Sequence, residues 1–536
     1  MIRITIGLTF FSAALAFGQH HTAAPPEKPV TLHPGMGIWK HPIATSKPEA
    51  QKYFDQGLAL MYGFNRYEAL RSFRKASELD PKAAMPYWGI AMSQGPYVNM
   101  DGEPTYDQKA ACEASATGLK IAGAPERERA YLQAVQTQCP DYKDPQAYIA
   151  AMKALKDRYP DDLDALTLYA DSLMIPPRWH WYSPDGTPAA GMPEAERSLE
   201  EVLRRWPDHP GANHLYIHAV ESSPTPERAI ASAQRLMGIV PSAGHLVHMP
   251  GHIWLVLGQW EYAEQTNERA VDVDRDYFKS TQVSAGSYPM YYVHNIHFIA
   301  YARWMLGKKA GGIRAADEIA AAMSPFVEAM PEMADAFITM PIFARARFSA
   351  WDDILKMPQP GAKLPLTGLI WHYARAMAYA ARGDREAAGR ERDAFETGRK
   401  QVPADAPWGI NNKAANVLSL ASEVIAARLA NSPEESIPHW KKSIAMQDAL
   451  VYDEPPAWYY PVRESLGAAL LRAGQAQEAE TVFREGMRRT PRNGRMIFGL
   501  MESLRAQGKT DSVEAVKKEY EAAWAKADVK VNLADL

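Results

Sequence analysis

Cysteine is nearly absent from this chain of 536 residues, which contains only Cys112 and Cys139. So sparse a supply excludes a disulfide-dense scaffold and a cysteine-based zinc or redox motif. The stretch between the two reads as a pair of helices joined near Gly123 to Pro125, and both a disulfide clipping that hairpin and two unpaired thiols are open at this level. An excess of one charge is also lacking. The 59 basic residues face 63 acidic ones, for a net charge of −4, and no basic run or aromatic-basic alternation offers what a phosphate backbone demands. Nucleic acid is therefore not an expected partner. Past the N-terminus no stretch holds eighteen uninterrupted apolar residues, so no membrane span is expected. No window sustains valine, isoleucine or threonine alternation, so strands are not expected either. The chain has no G-x-S-x-G elbow, no phosphate-binding glycine loop, no dinucleotide fingerprint and no H-E-x-x-H motif.

The single long apolar stretch lies at the start. Arg3, the run Ile4 to Phe17 and the small-residue site Ala16-Phe17-Gly18 have the order of a secretory signal, residues 1–18, with the mature chain beginning near Gln19. The expected location is the periplasm or the exterior. Residues 19–48 form an arm without helical periodicity, and residues 49–536 carry the remaining pattern.

That pattern is a repeat. Tyr53, Gly57, Leu60, Ala69, Phe73, Ala76 and Pro81 have the spacing of a tetratricopeptide helix-turn-helix unit of about 34 residues. Tyr87 and Ala91 recur 34 residues after Tyr53 and Gly57, and Gly467, Leu470, Ala479, Phe483, Gly486 and Pro491 repeat the intervals near the other end. Small residues sit where helices approach, aromatics fill the gap beside them, and proline ends the second helix. Gly258-Gln259, Gly307-Lys308, Ala350-Trp351, Gly383-Asp384 and Gly474-Gln475 mark the tight turns within intervening repeats. About a dozen hairpins would account for the chain. The expected fold is all-α, a right-handed superhelical solenoid of TPR-like repeats. A proline- and glycine-rich insertion at 175–193 and a segment at 357–365 interrupt it.

From Phe54 to Asn65, with Glu68 to Phe73 and Tyr87 to Ala91, and again at Gly95-Pro96 with Asn99, His245 to His252 and Trp458 to Gly467, the sequence resembles a group of bacterial secreted tetratricopeptide repeat proteins of about 550 residues. The resemblance implies fold and export and carries no established activity. Such arrays look like peptide- and protein-binding scaffolds whose first helices line a concave surface. A peptide or partner protein in that groove is the implied ligand.

Histidine supplies the one chemical signal. His214, His218, His245, His248, His252, His294 and His297, seven of the fifteen, fall within residues 214–297, in the repeats at about 208–310. His214 and His218 are four apart, with Glu221 three further, so the three share a helix face. His245, His248 and His252 share another. An offset of 49 residues between the turns at Gly258 and Gly307 carries His245 onto His294 and His248 onto His297. Register places these groups on first helices of neighbouring repeats, which predicts one converging cluster. Imidazoles at helical spacing suit copper, zinc or iron, one ion or two. Packing alone gives no reason to repeat the H-x-x-H pair, whereas any one of these histidines could fill the place of a repeat's tyrosine or tryptophan. Pro250 and Gly251 kink the second group's helix or start it anew, which re-aims its ligands.

Weaker candidates for contact with a bound molecule are Trp179 and His180 in the insertion, Trp254, Tyr292 and Tyr301 beside the histidines, and Arg463. Taken singly, each aromatic is ordinary repeat packing, and Arg463 with Glu464 an ion pair. His33, His41 and His372 are isolated, and His20 and His21 lie past the expected Gln19 terminus. Three functions follow from this chemistry. One is a metal-dependent enzyme of oxidative or hydrolytic type, another a scaffold with structural histidines, and the third metal storage or delivery.

Overall fold

The protein is described by a computed structural model covering residues 27–100 and 107–536. The expected signal at 1–18 and the first part of the arm lie outside the described residues. No helix of the described residues is long and apolar enough to cross a membrane. The fold is all-α, a succession of TPR-like helical hairpins. Against the expectation of no strands, two two-residue strands, Pro407–Trp408 and Asn412–Lys413, pair antiparallel. They close a short turn through Gly409, too brief to show as alternation in the sequence.

The described residues form two compact units. The first takes the chain up to Pro176 together with Val240–His245 and Asp272–Tyr291. Its first hairpin joins helix Pro48–Tyr62 to helix Arg66–Leu79, and the Asn65 side chain caps the second by accepting from the Glu68 N–H at 3.2 Å. The ring of Phe73 is fully buried between two glycines. A Cβ added at Gly57 would come 2.7 Å from it, and one at Gly89 would come 2.4 Å from it. Glycine is thus required on both sides of the ring by close approach. Cys112 on helix Gln108–Leu119 and Cys139 after helix Glu126–Gln136 are joined by a disulfide, which clips this hairpin.

Residues 27–47 of the arm carry no helix, and helices of the first unit hold their main chain. Gln56 accepts from the His33 N–H and donates to the Thr31 carbonyl. Gln51 does the same for Ile43 and His41. Further along the unit, Asp164 accepts from Trp39 Nε1 at 3.1 Å, from Tyr62 at 2.7 Å and from His41 Nδ1 at 2.8 Å. Burial lowers the His41 pKa, but the hydrogen bond and charge of Asp164 outweigh it and leave the value above 6.5.

The second unit comprises Pro177–Ile239, Leu246–Val271 and Tyr292–Leu536. Phe483 repeats the packing of Phe73, with Cβ positions of Gly467 and Gly499 falling 2.4 and 2.2 Å from its ring. Helix Pro365–Ala381 turns into Arg385–Arg399 through Gly383 at φ 77°, the left-handed position that glycine adopts without cost. At the equivalent turn before Trp351, Ser349 takes that conformation at φ 51°, which is why no glycine marks it in the sequence.

Two outcomes follow. Phe483→Ala should cost about 3–5 kcal/mol, the range for emptying a buried aromatic site, and lower the urea midpoint accordingly. A histidine with a raised folded pKa contributes stability that is full below its unfolded value of 6.5 and is lost as pH rises through the folded value. Urea midpoints should therefore decline as pH rises above 6.5, by an increment that His41→Gln abolishes.

Candidate metal centre

Four helical segments carry the histidines that the second unit brings together. Helix Pro210–Glu221 presents His214, His218 and Glu221, all buried. His209 caps it, its Nδ1 accepting from the Ala212 N–H at 3.0 Å. The second group is split. Helix Gly244–His248 ends at His248, and helix Pro250–Val256 starts anew at the proline, so His248 and His252 stand on two segments rather than on one straight face. Gly251 lets Asn267 approach closely, since a Cβ there would fall 2.5 Å from the Asn267 amide nitrogen. Helix Tyr288–Met305 supplies His294 and His297.

The orientation of His248 follows from its neighbour. Asn267 donates through its amide to the Ala263 carbonyl at 2.8 Å, which leaves Oδ1 as an acceptor. His248 Nδ1 lies 2.6 Å from that oxygen and so carries the proton. Burial, and then the charge of His252, holds His248 well below the usual histidine range, so the ring is neutral and Nε2 keeps its lone pair. That lone pair faces His252 Nε2 at 2.8 Å. The ring of His294 lies 4.8 Å from that of His248 and 5.7 Å from that of His252, and burial with the neighbouring imidazoles keeps it neutral too. One nitrogen from each of the three can be chosen so that all lie within 4.8 Å of one another.

His252 is the hinge of the cluster. Its Nδ1 lies 2.7 Å from Glu221 and also pairs with Glu454. Burial opposes a charge there, but the two carboxylates outweigh it and raise the imidazole to about 10. Glu221, whose other oxygen takes His218 Nδ1 at 3.0 Å, is held at about 2 against its burial by His252 and His218. Burial and the charge of Glu221 push Glu454 up to about 7 despite His252. His218, Glu221 and His252 form a second set with donor atoms within 4.8 Å.

A cavity of about 60 Å³ opens on this cluster, reached by His252, His294, Glu221 and Glu454 and walled by Trp179, Phe337 and Trp408. Trp179 holds φ 63°, and the buried Trp181 lies 5.8 Å from the ring of His218, so the aromatic insertion packs onto the histidines. His180 between them is exposed.

The remaining candidates are distributed as follows. His214 sits against His218, rings 4.9 Å apart. His297 lines the cavity beside Phe337, and burial lowers it to about 4. His245 belongs to the first unit, where it stacks on Phe64 and faces Tyr291 at 4.5 Å. Trp254 packs on Tyr262, and Tyr292 donates to Glu318 at 3.1 Å. Tyr301 and Arg463 line a different cavity of about 310 Å³. Arg463 is occupied by Asp448, through two bonds of 2.7 Å, and by Glu485 at 2.9 Å. Two residues central to the cluster, Glu454 and Asn267, were not among the candidates. The signal available for Glu454 was an acid set before two prolines and the aromatic run Trp458-Tyr459-Tyr460, an odd place for a solvated charge. Nothing in the sequence singles out Asn267.

No family model matches the chain, and no curated protein does. Among solved structures, an APC/C hetero-tetramer Cut9-Hcn1 aligns at TM-score 0.30 and 11% identity, over 90% of this chain and 74% of that one. Yeast Tom70 aligns at 0.29 and 10%, over 88% and 90%. A human IFIT1 dimer with m7Gppp-AAAA aligns at 0.31 and 13%, over 91% and 92%. The helical-repeat assignment above stands on this chain's own packing.

In metal-free protein, Glu454→Gln should lower the His252 pKa by about 1–3 units, the worth of one adjacent carboxylate. A proton NMR titration of the histidine Cε1–H signals reads the shift, and an unmoved titration would separate Glu454 from His252.

Proposed function

We propose that this chain is an exported bacterial TPR-like protein whose second unit holds a transition-metal ion, copper, zinc or iron. His248, His252 and His294 are its imidazole donors, and Glu221, Glu454 and His218 complete the set or hold a second ion. One observation carries the reading. Asn267 takes the His248 Nδ1 proton at 2.6 Å and turns the Nε2 lone pair toward two other imidazoles, the arrangement by which outer hydrogen bonds aim metal-ligating histidines. A neutral His248 and a neutral His294 also need lose no proton to bind. The 2.8 Å between His248 Nε2 and His252 Nε2 would widen to about 3.3 Å around a tetrahedral ion, a small displacement of two rings.

Once bound, the ion would supply Lewis acidity or redox capacity beside a cavity with room for little more than a water-sized reactant. Trp179, Phe337 and Trp408 would keep bulk water away and Glu221 and Glu454 would orient what enters. Oxidative or hydrolytic catalysis fits this enclosure, and metal storage or delivery uses the same ligands. Export is supported by the signal-like start of the sequence and by the Cys112–Cys139 disulfide, which persists in oxidising compartments.

A second reading has its own observation. His252 as an imidazolium ion-paired with Glu221 and Glu454 balances charge without any metal. The histidines are then structural, and the repeats serve as a scaffold for a peptide or partner protein.

Elemental analysis of the full chain decides between them. Near-stoichiometric zinc, copper or iron is expected, and His248→Ala with His294→Ala should remove it while circular dichroism keeps its helical signal. Protein that arrives metal-free and fails to load Zn²⁺, Cu²⁺ or Fe²⁺ in calorimetry refutes the metal reading, and partner binding that survives chelators then favours the scaffold.

A further inference from the structure

The cavity of about 310 Å³ in the second unit, the one that Tyr301 and Arg463 line, has a chemistry of its own. Residues 452–454, 456 and 457 form part of its wall and also part of the wall of the smaller cavity at the histidines. No imidazole lines it.

The charged groups of this wall are matched by opposite charge, with one exception. Arg463 is bonded to Asp448 and Glu485, and Arg489 lies 3.6 Å from Asp448. Glu454 pairs with His252. Asp453, part-buried, has no cation within ion-pair distance among the described residues. Its carboxyl meets neutral donors instead. Asn411 Nδ2 stands 3.5 Å from Oδ1, and the Asn412 side chain and the Glu454 N–H also bond it. Burial outweighs these bonds and pushes Asp453 up to about 7. A donor in the same wall is unused as well. Trp458 is 1% exposed, and its Nε1–H is buried with no acceptor. Trp260, Tyr301 and Tyr460 add aromatic surface.

A buried donor left without an acceptor is costly, and a carboxylate drawn out of water calls for a cation. A molecule that carries both an ammonium and an oxygen acceptor answers the two needs at once, and aromatic faces attract its charge further. We propose that this cavity binds a small organic amine bearing an oxygen acceptor, with its ammonium against Asp453, its oxygen against Trp458 Nε1 and its body against the aromatic wall. A cavity of this size falls in the range of small-molecule sites. The proposal does not rest on the metal reading, since the histidines take no part in it.

Calorimetry on the full chain tests it with three probes: tyramine, phenethylamine, which lacks the oxygen, and 4-ethylphenol, which lacks the amine. Tyramine should bind one to one, phenethylamine more weakly, and 4-ethylphenol without saturable heat. Excess EDTA should leave tyramine binding unchanged, so that this proposal and the metal reading fail separately. Asp453→Asn should weaken tyramine by about tenfold or more, the worth of a hydrogen bond to a charged group. Trp458→Phe keeps an aromatic ring in the wall and removes only the donor, and it should bring tyramine down to the affinity of phenethylamine. It also serves as the second variant should Asp453→Asn fail to fold. No saturable binding of tyramine at millimolar concentration, equal affinity for tyramine and either analogue, loss of binding in EDTA, or unchanged affinity in both variants overturns it.

Discussion

An aromatic ring held between two glycines sets the geometry on which everything else rests. Phe73 between Gly57 and Gly89, and Phe483 between Gly467 and Gly499, each lock one hairpin to the first helix of the next. The glycines let helix backbones come close, and the ring converts that closeness into a fixed separation, because a rigid planar group in a close-packed interior has few alternative positions. Repetition of this contact makes the array, and the array decides which faces of successive first helices look at one another.

The histidine cluster lies on such faces, and its polarity imposes a second constraint. Its groups are ionisable or strongly polar and are largely removed from water, so each must find a partner or stay neutral. The cluster uses both solutions. His248, His294 and His297 are neutral because burial disfavours their charge. His252 is charged because two carboxylates face it. A core that only needed to be filled would be cheaper with apolar side chains, and polar networks of this kind specify an arrangement more than they stabilise it. The same logic operates at Asp164 in the first unit, where arm residues Trp39 and His41 converge with Tyr62 on one carboxylate and tie the arm down.

Much of this was legible in the sequence because it is encoded locally. The hairpins, their turn glycines and the shared faces of His214, His218 and Glu221 all follow from helical periodicity and from the steric needs of single residues. The turn at Ser349 and the break before Pro250 mark the limits of such reasoning. A serine in the left-handed conformation carries no signal, and a proline allows either a kink or a new helix until the neighbouring Asn267 and Phe298 press against Gly251.

The sequence by itself determined the all-α repeat architecture and drew attention to the histidines, since spacing along one helix follows directly from its pitch. Only the tertiary structure decided the chemistry of the cluster. It brought Glu454 to His252 across about two hundred intervening residues, gave His248 a defined tautomer through Asn267, and assigned His245 to the other unit. These relations join separate elements, and nothing in local spacing encodes which side chains meet across a packed interface.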